Sequence, residues 1–74
     1  MNITAHDAYT TEMMERPFVQ NVHDIVKNDD GLTTDQISRK AGYGIALTVT
    51  ALNVLLDAGR VERAGATWQS MPEQ

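Results

Sequence analysis

The chain has 74 residues, which gives room for one domain with a single small hydrophobic core and leaves none within these residues for a second. It contains no cysteine, so disulfides and thiolate metal sites are excluded and stability has to come from packing. Its formal net charge is −4, whereas domains that grip nucleic acid through phosphates usually carry a basic excess.

Membrane association is not expected either. No apolar run approaches the roughly 20 residues needed to span a bilayer. The first residues lack the basic start and apolar segment of a signal peptide. We therefore expect a soluble, cytoplasmic protein.

Residues 1–16 have the weakest hydrophobic periodicity in the chain, and we predict that they form a separate N-terminal arm or short helix. Thr4 has the character of a helix cap, and Ala5, Tyr9 and Met13 would then share one helical face. Two interpretations stay open, a frayed arm and a dimerisation helix built on Tyr9 and the neighbouring methionines.

The predicted domain covers residues 17–70, and its first helix begins at Pro17, where a missing N–H costs nothing. We predict that this helix runs to Lys27, because residues 28–31 (Asn-Asp-Asp-Gly) favour a turn. Its apolar face consists of Phe18, Val22, Ile25 and Val26.

The sharpest local signal marks the start of a second helix. Thr33 followed by Gln36 forms a capping box, and Leu32 with Ile37 forms a hydrophobic staple across it. The helix has room for only about seven residues, because residues 41–44 (Ala-Gly-Tyr-Gly) break it.

The third helix is the most strongly patterned segment. Its apolar residues recur at i, i+4, i+7 and i+11, so we predict that this stripe faces the core. Gly59 is suited to the left-handed residue that closes a helix. The predicted core stripe is Ile45, Val49, Leu52 and Leu56, widened by Leu55.

A small β-hairpin is predicted after this helix. Residues 60–63 alternate polar and apolar, Ala64 and Gly65 suit a turn, and residues 66–69 return. Trp68 on the return strand is expected to anchor the core, and Tyr43 to be an exposed aromatic residue. Residues 71–74 form a polar tail.

This order of elements resembles a winged-helix domain. The segment GLTTDQISRKAGYGIALTVTALNVLLDAGRVERAGATWQ is similar to the helix-turn-helix and wing of small bacterial winged-helix transcription regulators. The resemblance covers residues 17–69 and implies a mainly α fold of three helices with a two-stranded wing. It also implies a non-enzymatic DNA-binding or transcription-regulatory protein.

The resemblance implies that the third helix enters the major groove of double-stranded DNA. None of its outward residues is basic, so base contacts would fall to Thr48, Thr50 and Asn53. Phosphate contacts would come from Arg39, Lys40, Arg60 and Arg63. The outward positions that the resemblance implies are Ala46, Leu47, Thr48, Thr50, Ala51, Asn53, Val54 and Asp57.

A protein partner is the alternative. A second apolar strip, consisting of Leu47, Ala51, Val54 and Ala58, either packs beneath the first helix or the N-terminal arm, or binds a protein together with Tyr43. Some acidic winged-helix domains, such as that of the middle subunit of replication protein A, bind proteins instead of DNA. A homodimer through this strip or the N-terminal segment is also left open.

No catalytic or metal site is predicted. His6 and His23 each have an aspartate beside them, but adjacent residues on a helix point apart, so surface histidines are expected. Residues 29–31 lack the ligands of a calcium loop. There is no nucleophile motif or phosphate loop, and we expect no enzyme activity, no cofactor and no small-molecule substrate.

Overall fold

The computed structural model describes the backbone of residues 5–72 and the side chains of residues 8–72. Within these residues the chain is mainly helical, with four helices and a small antiparallel sheet. None of the helices seen there has both the length and the apolar character needed to cross a bilayer. The elements are α1 (Ala5–Met14), α2 (Pro17–Asn28), β1 (Leu32–Thr33), α3 (Thr34–Ala41), α4 (Ile45–Asp57), β2 (Val61–Ala64) and β3 (Thr67–Ser70).

The sheet has three strands in the order β1-β3-β2. The predicted hairpin is present as β2 and β3, with Arg63 opposite Trp68. β3 also pairs with β1, so that Leu32 lies opposite Trp68. This third strand is absent from the sequence prediction because extended residues before a helix resemble a cap alone. The topology is compatible with a winged helix.

The core lies where α2, α3, α4 and the sheet meet. α4 packs against α1, α2, α3 and β2, and α2 packs against α1, α3, α4 and β3, so these two helices form the centre of the domain. The buried apolar residues are Val19, Val22, Val26, Leu32, Ile37, Ala51, Leu52, Val54, Leu55, Val61 and Trp68. Phe18 and Ile25, both predicted on the inner face of the first helix, are partly buried against this cluster.

Helix α1 settles one of the open questions about the N-terminal segment, since residues 5–14 are helical. It packs against α2 and α4, and Met13 and Met14 contact the core. Tyr9 remains half-exposed. Thr10 is buried, and its hydroxyl has no hydrogen-bond partner among the residues that the structure describes. The predicted Thr4 cap lies outside the described residues.

The capping box at the start of α3 is confirmed. The Thr33 backbone N–H donates to Gln36 Oε1 at 2.9 Å, and Gln36 N–H donates to Thr33 Oγ1 at 3.2 Å. At the other end Gly42 has a φ of 74°, the left-handed conformation that glycine adopts without strain. The short helix is thus closed at both ends by its own sequence.

Long-range polar contacts fix the sheet to the helices. Trp68 is buried, as predicted, and its indole Nε1–H donates to Thr34 Oγ1 at 2.9 Å. The Asp30 carboxylate accepts from the Ser70 N–H at 2.9 Å and from the Ser70 hydroxyl at 3.1 Å. The turn at residues 28–31 therefore also holds the last strand.

One expectation about histidine is wrong. His23 is 6% exposed, so it belongs to the buried face of α2 and not to the surface. His6 lies outside the residues whose side chains are described. Among the side chains of residues 8–72, no group of three or more carboxylates and histidines is arranged to hold a metal ion.

Candidate interaction surface on helix α4

The rotation of α4 about its axis differs from the sequence prediction. Ile45, Val49 and Leu56 were expected in the core, yet they are 48%, 39% and 43% exposed. Leu52 and Leu55 are buried as expected. The predicted stripe is therefore wrong for three of its five members, and these three form an apolar stripe on the surface.

The second apolar strip is mostly buried. Thr48 and Ala51 are fully buried, and Val54 is 3% exposed. The expected outward position of Thr48, Ala51 and Val54 is therefore wrong: the Thr48 hydroxyl is not presented to a base, and Ala51 and Val54 are not exposed to a protein partner. The other interpretation, in which the strip packs inward, fits the docking of α1 and α2 on α4. Of the other two members of this strip, Leu47 is 40% exposed and Ala58 is partly buried.

The physical reason for this rotation of α4 lies in the small size of two inward residues. α4 is apolar on almost every side, so periodicity alone does not select the buried face. Thr48 and Ala51 are small and let neighbouring helices approach closely. The Thr48 hydroxyl donates to the Gly44 carbonyl at 3.1 Å, and it is therefore satisfied without water.

Five of the exposed residues of α4 lie on one side of the helix and define a surface, here called the outer face: Ile45, Ala46, Val49, Asn53 and Leu56. From Ile45 to Leu56 the face is about 16 Å long at 1.5 Å per residue. It carries no charged side chain, and the one ionisable residue of α4 is Asp57 at its C-terminal end.

The turn before α4 is held by side chains on α2 and α3. Ser38 Oγ donates to the Tyr43 carbonyl at 2.6 Å, and Asn21 Nδ2 donates to the Tyr43 hydroxyl at 2.6 Å. Tyr43 is consequently half-buried and packs against the core, which corrects its assignment as an exposed contact residue. The start of the outer face is thereby fixed relative to the domain.

The end of α4 is fixed by backbone hydrogen bonds. Gly59 has a φ of 73°, and the Arg60 N–H donates to the Leu55 carbonyl at 2.9 Å. This closes the helix as predicted and directs the chain into β2.

The cations assigned to phosphate contacts already have protein partners. Arg39 pairs with Asp35 at 3.0 Å, and Lys40 pairs with Asp29 at 3.7 Å. Arg63 donates through Nε to the Gly65 carbonyl at 3.0 Å, and its guanidinium lies 5.7 Å from the centre of the Trp68 ring. Arg60 also has an interaction partner.

These contacts weaken the electrostatic argument that the chain binds DNA. Exposed ion pairs are individually weak and a phosphate can displace them. However, each acidic partner cancels part of the positive potential that would attract a duplex. The net field near Arg39 and Lys40 is therefore weaker than the bare sequence indicates.

The remaining base-reading candidates are also changed. The Thr50 hydroxyl donates to the Ala46 carbonyl at 3.0 Å, and the residue is half-buried. Asn53 is exposed in the middle of the outer face. Of the three predicted base readers, only Asn53 has an exposed side chain on α4.

Comparison of the chain with protein-family models, with curated proteins and with solved structures found no match in any of the three. The assignment of a function consequently depends on the geometry and chemistry of the surface itself.

Proposed function

We propose that this chain is a non-enzymatic binding module of the winged-helix type that binds another protein through the outer face of α4. The observation that carries the proposal is the exposure of Ile45, Val49 and Leu56 along one uncharged side of the central helix. Contiguous apolar patches larger than a few hundred Å² are characteristic of interaction sites, and this stripe lies near the lower end of that size.

The size of the apolar stripe sets the strength of binding. Complete burial of these three residues would remove on the order of 250 Å² of surface from water, given their exposed fractions, and contribute about 6 kcal/mol. This gain is comparable with the entropic cost of association, which is roughly 4–15 kcal/mol. A productive partner must therefore add complementary contacts around the stripe, and affinity is expected to be moderate.

Double-stranded DNA is the second candidate. It is favoured by the winged-helix resemblance and by the position of four cations on α3 and the hairpin. It is opposed by the apolar outer face, since an α-helix in the major groove needs Arg, Lys, Asn or Gln at base edges. The four cations are Arg39, Lys40, Arg60 and Arg63.

The first part of the test measures DNA binding directly. A fluorescent random-sequence duplex is titrated with the protein at about 50 mM and about 200 mM salt, because phosphate-driven binding falls steeply between them. We expect no saturable binding at the lower salt concentration. Salt-sensitive binding that Arg39→Glu or Arg63→Glu weakens would overturn the protein-binding proposal in favour of DNA.

The second part locates the protein-binding surface in producing cells. A photoreactive amino acid is placed at Val49 on the outer face or at Leu47, which is on the opposite side of α4 with almost the same exposure, 39% against 40%. We expect covalent protein adducts from Val49 and few from Leu47. Equal yields from the two positions would mean that the outer face is not the binding surface.

A further inference from the structure

We infer that Asp30, in the turn between α2 and β1, is a site of spontaneous isomerisation to isoaspartate, and that the contacts of this turn with β3 hold the reaction back in the folded chain. Asp30 is followed by Gly31, and no other aspartate or asparagine of the sequence precedes a glycine. The outer face of α4 takes no part in this reaction, which is therefore independent of the proposed function.

Isomerisation joins the side chain of one residue to the main chain of the next. The Gly31 nitrogen attacks Cγ of Asp30, and the amide hydrogen leaves together with the hydroxyl of the protonated carboxyl as one water molecule. The product is a five-membered succinimide ring, and no oxidant, reductant or cofactor takes part.

Water then opens the ring at one of its two carbonyl carbons. Opening at Cγ restores aspartate. Opening at the main-chain carbonyl carbon of Asp30 breaks its bond to the Gly31 nitrogen and leaves that nitrogen bonded to Cγ. The chain then runs through the former side chain, which is the isoaspartate linkage.

Glycine is the following residue that hinders the attack least. It has no side chain beside the reacting nitrogen, and its backbone has the widest conformational freedom. Asp30 and Gly31 are both exposed, and a Cβ added at Gly31 would meet no atom within 4 Å. Water therefore has access to the turn, and no neighbouring group crowds the reacting bond.

The folded chain withholds the attacking nitrogen. The Gly31 N–H donates to the Trp68 carbonyl at 2.8 Å, which joins the turn to β3. An amide held in this way gives up its hydrogen to solvent only when the hydrogen bond opens. Because the attack requires removal of the same hydrogen, isomerisation has to wait for the same opening.

The folded chain also restrains the carboxyl group. Asp30 Oδ1 accepts from the Ser70 N–H at 2.9 Å and from the Ser70 hydroxyl at 3.1 Å. These bonds keep the carboxylate directed at β3, whereas the attack requires Cγ to turn toward the Gly31 nitrogen. Both reacting groups are thus bonded to the same strand, and separation of β3 from the turn releases them together.

Isoaspartate would make that separation permanent. The new linkage adds one carbon to the main chain between Asp30 and Gly31, and it leaves a carboxylate attached directly to Cα. The shorter side group and the longer main chain do not reproduce the bonds to Ser70 and Trp68 at the same time. The pairing of Leu32 with Trp68 begins at the next residue, so the attachment of β1 to β3 is weakened as well.

The experiment incubates the purified chain in heavy-oxygen water at neutral pH and maps its peptides by mass spectrometry. Each opening of the ring adds one solvent oxygen to residue 30, whichever product forms. A synthetic peptide of residues 26–36 supplies the rate in the absence of the fold. We expect the folded chain to incorporate heavy oxygen at least tenfold more slowly than the peptide, the factor that an opening free energy of about 1.4 kcal/mol produces.

Two alanine variants test whether the contacts with β3 are responsible. Ser70→Ala removes the hydroxyl bond to Asp30, and we expect it to speed incorporation about two- to fivefold. The matched control, Thr67→Ala, removes a hydroxyl of the same strand that bonds to Ala64 and not to the turn, so it should change the rate less. Amide exchange at Gly31 should rise in Ser70→Ala by the same factor as isomerisation, because both need the same opening.

A faster measurement uses Asp30→Asn, which keeps an acceptor oxygen for Ser70 and forms the same ring with loss of ammonia. Folded Asp30→Asn protein should deamidate more slowly than the corresponding peptide. Equal rates in folded chain and peptide would overturn the protection by β3, and a peptide without heavy oxygen at residue 30 would overturn the site itself. Faster Gly31 exchange in Ser70→Ala without faster isomerisation would show that separation of β3 does not release the reaction. All these outcomes are independent of duplex binding and of the Val49 adducts, on which the proposed function depends.

Discussion

Substitution of Val54 by glutamate tests the rotation of α4 on which the proposed function depends. Val54 is 3% exposed, so Val54→Glu removes a buried valine side chain and places a carboxyl group in a site that water does not reach. The lost apolar burial costs about 1.5 kcal/mol, and an unpaired buried carboxylate costs several more. With about 3–5 kcal/mol for the unpaired charge, the total of about 4.5–6.5 kcal/mol compares with an expected stability of roughly 4–11 kcal/mol for 74 residues.

The assay is a thermal melt followed by circular dichroism, with Val49→Glu as the control on the same helix. We expect Val54→Glu to be largely unfolded or to melt far below wild type. Val49→Glu should change stability by less than about 0.5 kcal/mol because its site is open to water. A Val54→Glu protein as stable as wild type, or a Val49→Glu protein that unfolds, would refute the rotation of α4 described above.

Three further substitutions test local contacts by the same melts. Thr33→Ala removes the capping box and should cost about 1 kcal/mol, which lowers the melting temperature by roughly 4–8 °C; no change would mean that the box contributes nothing. Thr10→Val removes a buried hydroxyl that has no hydrogen-bond partner within the described part of the chain, so it should raise stability by about 1 kcal/mol. A loss of stability would indicate that the hydroxyl makes a polar contact. Asp30→Ala removes both hydrogen bonds to Ser70 and should lower the free energy of unfolding by about 1 kcal/mol. Ser70→Ala keeps the backbone hydrogen bond and should lower it by less. Equal losses of stability in the two variants would contradict this assignment of the two bonds.

The boundaries of the elements could be predicted from the sequence because they depend on chemistry within a few residues. Pro17 begins α2, and the Thr33 and Gln36 pair begins α3, as predicted. Gly42 and Gly59 both adopt the left-handed conformation at the expected helix ends. Caps and closing glycines act through neighbouring backbone groups, so the sequence alone contains the information.

The face of α4 that is buried could not be predicted in the same way. Two stripes with the same spacing compete on this helix, and three members of the more hydrophobic one, Ile45, Val49 and Leu56, are exposed. The choice depends on which residues permit close packing of α1, α2 and α3, a property of the whole domain. The small residues Thr48 and Ala51 were the available signal, but hydrophobic periodicity ranks them below leucine and isoleucine.

Contacts between distant parts of the chain were also beyond local reasoning. The hydrogen bond from Trp68 to Thr34 and the bonds from Ser70 to Asp30 join residues 34 and 40 positions apart. Asp30 was correctly expected in a turn, but its additional role in holding β3 depends on where the sheet lies. The same holds for His23, whose burial follows from the packing of α2 and not from its neighbours.

The exposed stripe on α4 has a thermodynamic consequence that separates the candidate partners. Keeping three large apolar side chains in water is unfavourable for a monomer, and moving Thr48 and Ala51 outward instead would have cost the chain its close helix packing. A partner that covers the stripe recovers part of this free energy, and the recovery is insensitive to salt because the face is uncharged. A duplex would recover little of it, since the groove offers polar base edges to Ile45 and Val49. A salt titration of complex formation therefore distinguishes an apolar protein partner from a DNA duplex at the outer face.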